Sequence, residues 1–232
     1  MATGLSEHPR CADCPARDRG FCSRLPEPLR NRFRHVVRAA APERLKGGNG
    51  GGLAGWDLAV VSRGTVAVRS TFEDGRRAIT DFMVPGEVLH AQDVGNRKEW
   101  EVAASPDFAL CLVPNLEAEF DPADCHCLER YIRSDAVSHI EALRDRFAAL
   151  ARLDPTERLA HLLLGLRERL NPEGRTVNLP FSRNDIADLL GMRTETVSRA
   201  LFALEQADLI RRNGPKKIEI LDPAGLAAVV GG

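Results

Sequence analysis

The sequence is poor in aromatic residues, 5% of 232 with a single tyrosine, which excludes the stacking platforms that hold single-stranded nucleic acid. It also lacks a bias of charge. With 32 lysines and arginines against 33 aspartates and glutamates, and a net charge of −1, no global basic field advertises nucleic acid, so any contact with DNA must be local. No apolar run approaches the roughly 20 residues that span a bilayer, and the start of the chain has no basic-then-apolar signal pattern. A cytoplasmic protein with no membrane partner is expected. No HExxH, GxSxG or paired-carboxylate arrangement appears, which argues against an enzyme, including a metal-dependent one with a DNA-binding appendage.

What is present is ordinary globular material, 44% apolar and 28% charged, enough for two modest domains or one large one. Residues 1–28 are rich in Arg, Pro and Cys and show no period, so something other than a core must order them. Over residues 29–40, Leu29, Phe33, Val36 and Val37 keep one apolar helical face, which predicts a short docking helix. Residues 47–55 contain a formal GxGxxG at Gly50, Gly52 and Gly55, but a β-rich stretch follows where a dinucleotide site needs a helix. A flexible loop is the better reading. Residues 58–114 hold short β-like runs separated by Arg63-Gly64, Asp74-Gly75 and Pro106-Asp107, spaced roughly every 8–12 positions as in an antiparallel barrel or roll.

From about residue 128 to 153 the period turns helical. Leu128, Ile132, Ala136, Ile140, Leu143, Phe147 and Leu150 recur in steps of four and three, with charged residues on the other faces. The economical reading is a two-helix dimer seam made by Ile132, Ala136, Ile140, Leu143, Phe147 and Leu150; the alternative is a helix packed on its own roll.

After the helix-start signal Asp154-Pro155 come a helix over 156–170, a strand over 176–179, a helix over 182–190, a turn at Gly191-Met192-Arg193, and a helix over about 194–207. Two strands about Asn213-Gly214 complete a winged helix-turn-helix. Ser182 is expected to cap the first helix of the pair with Asp185 as its capping-box partner, and Thr194 to cap the second. In that second helix Val197, Ala200, Leu201 and Leu204 form the buried stripe, while Glu195, Ser198 and Arg199 converge on another face. Arg suits guanine O6 and N7, Glu accepts from cytosine N4, and Ser adapts to either kind of partner, so the trio matches base-edge readout in the major groove. An ordinary surface pair between Glu195 and Arg199 is the bland alternative. Arg211, Arg212, Lys216 and Lys217 flank the hairpin turn and suit DNA phosphates. The fold class is therefore α+β, with a β-roll, a long helix and a winged helix-turn-helix. Its expected divisions are 1–28, 29–124, 125–153 and 154–232.

Six cysteines in a reducing compartment point to metal or redox chemistry rather than disulfides. Cys11, Cys14 and Cys22 form C-x2-C-x7-C and need one more ligand to complete a metal or cluster site. Cys111, Cys125, Cys127 and His126 are the candidates. Cys111 lies in the apolar run Phe108-Ala-Leu-Cys-Leu-Val, where a small buried core cysteine is the plain alternative.

The residues then carry a specific resemblance. Asp74-Gly-Arg-Arg-Ala-Ile-Thr-Asp-Phe-Met-Val-Pro-Gly-Glu87 and Arg183-Asn-Asp-Ile-Ala-Asp-Leu-Leu-Gly-Met-Arg-Thr-Glu-Thr-Val-Ser-Arg199 resemble the roll and the DNA-binding signature of the CRP/FNR superfamily, within it the FNR branch. The resemblance implies a homodimeric, oxygen-responsive transcription regulator with RNA polymerase as a partner. It implies a [4Fe-4S] cluster on Cys11, Cys14, Cys22 and, in a Cys-x-x-Pro context, Cys111. The E-x-x-S-R triad falls on Glu195, Ser198 and Arg199 and implies TTGA(T/C) half-sites. The region 88–101 lacks the Arg-Ser/Thr-Ala cassette of the cyclic-AMP branch, which speaks against a cyclic nucleotide. The spacing between Cys14 and Cys22 is longer than in the enteric form. A regulator of the same family that uses zinc or a thiol switch is the alternative.

Overall fold

Side chains alternate across a strand, and along two strands of the N-terminal unit that alternation builds two separate apolar layers. The structure is a computed structural model that describes residues 11, 14–30, 35–37, 56–90, 100–104, 108–114 and 121–231. The chain divides into two compact units, Met1–Ile140 and Glu141–Gly232. In order the elements are α1 (Gly20–Arg24), α2 (Glu27–Arg30), β1 (His35–Val37), β2 (Trp56–Arg63), β3 (Val66–Thr71), β4 (Arg77–Met83), β5 (Val88–His90), β6 (Trp100–Ala104) and β7 (Ala109–Pro114). There follow α3 (Pro122–Arg152), α4 (Pro155–Leu170), β8 (Thr176–Asn178), α5 (Arg183–Leu190), α6 (Thr194–Gln206), β9 (Ile210–Arg212), β10 (Lys217–Ile220) and α7 (Pro223–Gly231). Among the described residues no helix is long and apolar enough to cross a membrane.

In the first unit a four-stranded sheet, β1-β7-β2-β5, and a three-stranded sheet, β4-β3-β6, are wholly antiparallel. Ala59 and Val61 of β2 and Leu110 and Leu112 of β7 point inward with Val66, Val68, Met83, Leu89 and Phe108, making the core of the roll. Leu58 and Val60 belong to a second layer, where Phe21, Cys22, Leu25, Leu29, Val88 and Leu128 bury themselves. Two expectations are corrected here. Residues 1–28 are not without a core, because Phe21, Cys22 and Leu25 are buried in that second layer. The helix expected over 29–40 is not formed: α2 ends at Arg30, and His35–Val37 pair with Leu110–Leu112 as an edge strand. Paired β-branched valines favour extended backbone, and β7 offers an unpaired edge that outweighs a weak helical period. The Gly-rich stretch 47–55 lies outside the described residues.

A close glycine contact docks the N-terminal segment. Gly20 has φ +47, and a side chain there would meet the Gly86 carbonyl oxygen at 2.3 Å, while the Phe21 N–H donates to that same oxygen at 2.8 Å. Only glycine satisfies both the left-handed backbone and the approach.

In the second unit Asp154 caps α4 through a full capping box with Glu157, and Ser182 does the same for α5 with Asp185. Gly191, at φ 60, ends α5 in the left-handed conformation and turns the chain into α6. Leu159, Leu163 and Leu166 of α4, Ile186 and Leu190 of α5, and Val197, Leu201 and Leu204 of α6 fill the core. The wing is antiparallel, with β10 between β8 and β9. Thr194 is not the cap of α6 that the pattern predicts. It is already helical, Arg193 before it makes no side-chain cap bond, and the Thr194 hydroxyl donates instead to Asn184 Oδ1 at 3.0 Å. Helix α7 is an addition to the expected elements, although Asp222-Pro223 repeats the Asp-Pro signal of α4 and Asp222 accepts from the Ala224 and Gly225 N–H groups.

Candidate functional site

The cysteines come together through strand period. In β7, Leu110 and Leu112 face the roll core, so Cys111 faces the other way, onto the layer that holds Cys22. It pairs with Val36 on one side and Val60 on the other. The plain alternative of a core cysteine is thereby answered in part: Cys111 is partly buried, but on the docking face of the sheet. Cys22 sits in α1 beneath the Gly20–Gly86 contact, and the Cys14 N–H donates to the Cys11 carbonyl at 3.3 Å in the turn before it.

Three of the thiols, Cys11, Cys22 and Cys111, are held above the ordinary thiol range. Burial pushes the Cys22 thiol up to about 12, and the charges of Cys14 and Cys11 push the same way. Burial pushes Cys111 up as well, with Cys22, Cys14 and Cys11 adding to it. Cys11 is raised by burial and then by Cys14, against Arg30 and Arg17. Four thiolates in that space oppose one another unless a cationic group lies among them, which is the chemistry of a metal or cluster site. Among the described residues no three His, Cys, Asp or Glu donors converge closely enough to hold one metal ion. Cys125 and Cys127, in the first turns of α3, are half-buried against the same apolar layer.

Two arginines at this site carried no signal in the sequence. The Arg30 guanidinium donates to the carbonyls of Arg17 and Cys22 at 3.2 and 3.3 Å, bracing the loop between the ligand candidates. Arg24 pairs with Asp135 of α3, so the helix that bears Cys22 is tied to the long helix.

In the second unit Glu195 and Arg199 are exposed and Ser198 is half-buried on α6. The Ser198 hydroxyl accepts from Arg183 Nη1 at 3.1 Å, so α5 braces the N-terminal half of α6 through Arg183 as it does through Asn184. The sequence places both residues in the DNA-binding signature but does not show these bonds, because their partners lie on another helix. On the wing, Lys216 and Lys217 are exposed, and Arg211 reaches Glu219 at 3.5 Å. Arg212 differs from them. Its Nε donates to Glu205 Oε2 at 2.8 Å and its backbone N–H to Oε1 at 3.0 Å, a strut between the end of α6 and β9. The hydrogen bonds of Arg212 hold the Glu205 carboxyl below its usual range.

A protein-family model described as a Crp-like helix-turn-helix domain matches residues 157–229, which run from the first turn of α4 through α5, α6 and the wing. The nitrogen fixation regulation protein FixK of Bradyrhizobium diazoefficiens is 31% identical, over 94% of this chain and 93% of its own. This chain belongs to the CRP/FNR family of transcription regulators. The transcriptional activator protein FnrL of Cereibacter sphaeroides is 26% identical over 96% of this chain and 92% of that protein. The solved structure of FixK2 from Bradyrhizobium japonicum is similar with a TM-score of 0.68 at 28% identity, covering 84% of this chain and 96% of that one. A CRP/FNR regulator from Thermus thermophilus, at 20% identity and a TM-score of 0.65, matches in fold over 85% of this chain and 99% of its own. The family consists of DNA-binding regulators and not of enzymes, in keeping with the absence of catalytic motifs.

Within this CRP/FNR chain α3 displays a mixed face. Ile132 packs against the docking layer of its own roll, as the alternative to a seam requires. Val137, Ile140 and Phe147 are 52%, 48% and 74% exposed, whereas Ala136, Leu143 and Leu150 are half-buried. Val137 joins the exposed apolar side chains although the steps of three and four that begin at Leu128 pass it by.

Proposed function

We propose that this chain is an oxygen-responsive transcription activator that binds palindromes of TTGA(T/C) half-sites as a homodimer and engages RNA polymerase there. A [4Fe-4S] cluster on Cys11, Cys14, Cys22 and Cys111 controls it. One observation carries the reading: Cys111 lies on the sheet face against which the Cys22 helix docks, and all four thiols share one field. The donor set, four cysteine thiols with Cys22 and Cys111 on one apolar layer, has the ligand chemistry of a [4Fe-4S] cluster, and metal analysis separates it from a four-cysteine zinc site.

Such a group supplies, when bound, an oxygen-labile cross-link between the N-terminal segment and β7. The chain's own residues do the rest. Phe21 and Leu25 anchor α1 in the docking layer, Arg30 holds the ligand loop, and the Arg24–Asp135 pair relates the position of α1 to that of α3. Helix α3 bears Val137, Ile140 and Phe147, which a second copy of the helix would cover. Two α6 helices then meet half-sites about one turn of DNA apart. Glu195, Ser198 and Arg199 read base edges, and Arg211, Lys216 and Lys217 serve phosphates, with Arg212 lending its charge from the strut. The region 88–101 has no cassette for a cyclic nucleotide.

Anaerobic purification followed by iron, sulfide and zinc analysis tests the reading. Four irons and four sulfides per chain are expected, falling steeply in Cys11→Ser, Cys14→Ser, Cys22→Ser and Cys111→Ser and unchanged in Cys125→Ser and Cys127→Ser. One zinc per chain would replace the cluster with a zinc site. No metal, together with oxidant-dependent DNA binding, would make the cysteines a thiol switch.

A further inference from the structure

Helix α6 holds one apolar side chain in solvent that its packing does not use. Phe202 is 55% exposed, while Val197, Ala200, Leu201 and Leu204 fasten the helix to its unit. An exposed phenyl ring forgoes a large hydrophobic gain, so the position of this ring on the helix matters.

At about 100° per residue, with Glu195 as origin, Ser198 stands about 60° to one side and Arg199 about 40° to the other. Phe202, seven residues on, returns to within about 20° of Glu195. It therefore falls inside the arc spanned by Ser198 and Arg199, about 10 Å farther along the helix axis, or about three base-pair steps. A helix that lays Glu195 and Arg199 on base edges brings this ring toward the same groove wall. The ring offers no donor and no strong acceptor. The major groove presents one apolar group for it to cover, the C5-methyl of thymine.

We propose that Phe202 is a specificity-determining residue that packs on a thymine methyl group at the edge of each half-site, beyond the bases read by Glu195, Ser198 and Arg199. The inference rests on the assignment of α6 as the DNA-reading helix and adds an apolar contact to its polar ones. It also accounts for an apolar side chain that neither the core nor the polar reading trio requires.

The test begins with DNA selected from randomised palindromes by the full-length, anaerobically prepared protein. Each thymine of the selected site is then replaced by deoxyuridine, which removes the methyl group and no hydrogen-bonding atom. Binding is measured by fluorescence anisotropy for the wild type, Phe202→Ala, Phe202→Leu and Arg199→Ala. At one thymine per half-site the wild type should lose about fourfold in affinity, the worth of one buried methyl group. Phe202→Ala should lose at least as much on the unmodified site and show no further loss with deoxyuridine. Phe202→Leu should keep the sensitivity. Arg199→Ala should also keep it while relaxing choice at a different pair. Melting temperatures should match across the Phe202 variants, because the side chain is exposed. Wild-type indifference to deoxyuridine at every thymine overturns the proposal, as does Phe202→Ala binding like the wild type. Weaker self-association of Phe202→Ala in sedimentation, with DNA selectivity intact, assigns the ring to a protein contact and overturns it too. Failure of selection to yield any preferred sequence would overturn the reading role of α6 itself, a distinct result from the loss of the methyl contact alone.

Discussion

Cys22 holds its proton far more tightly than a free thiol, because burial in the docking layer and the neighbouring Cys14 and Cys11 both oppose a thiolate there. The folded metal-free protein keeps this proton up to about 12, whereas the unfolded chain releases it near 9.0. The folded state thus binds more protons in that window, and stability should fall as pH rises through it. Thermal melts of the metal-free protein across this range check the slope, and a Cys22→Ala variant should flatten it. At neutral pH the thiolate fraction is roughly a thousandfold below that of a free cysteine. Cys22 should therefore resist iodoacetamide in the folded metal-free protein and react at once when urea is added, as read by peptide mass spectrometry. At the other unit, Arg199→Ala should lower specific affinity by about 1–3 kcal/mol and relax selectivity at one guanine-containing pair. Lys216→Ala should weaken all sequences alike and flatten the salt dependence. Competition binding at two salt concentrations separates the two, and equal losses for Arg199→Ala on specific and random DNA would contradict base contact.

Helix α1 is only five residues long and owes its place to tertiary contacts. Its anchor is the Gly20–Gly86 approach, so Gly20→Ala is the sharpest probe of the element. A left-handed alanine costs about 1–2 kcal/mol, and its Cβ would collide with the Gly86 carbonyl at 2.3 Å. The segment should undock, lowering the melting temperature of the metal-free protein and the iron content of the anaerobic protein together. A variant that keeps full iron would show that the ligand loop stands without this anchor. The contrast with α4 and α5 is instructive, since each of those helices carries its own capping box and needs no distant residue to begin.

For the molecule as a whole, the quantity that matters is self-association. Ile140 is 48% exposed, so Ile140→Glu should leave the fold of the protomer intact while, in the proposed α3 seam, setting two carboxylates against each other. A cost of about 3–5 kcal/mol is expected for the unpaired buried charge, enough to yield a folded monomer that binds the palindrome poorly. Sedimentation of the variant checks this, and a variant that remains dimeric would remove α3 from the interface. Leu143 continues the apolar stripe without a charge, so metal-free wild type should show a reduced but measurable dimer at micromolar concentration. A strictly monomeric metal-free protein would mean that the metal centre controls association outright.

The sequence alone determined whatever depends on neighbours in the chain. The winged helix-turn-helix was legible because Asp154, Ser182 and Gly191 start and stop helices through bonds to residues within a few positions, and because Val197, Leu201 and Leu204 recur at the helical period. The roll was legible from its turns at Gly64 and Gly75, both at positive φ. The long α3 was legible, but which of its apolar residues face outward was not: the same steps run through Ile132, which packs on its own roll, and Ile140, which is exposed. Tertiary structure alone decided the rest. His35–Val37 became a strand because β7 had an edge to pair, and Cys111 met the N-terminal segment because its neighbours Leu110 and Leu112 took the inner face. The bonds of Arg30, the Arg183–Ser198 bond and the Gly20–Gly86 contact left no trace in local pattern, since each acts on a backbone or side chain that only folding brings within reach.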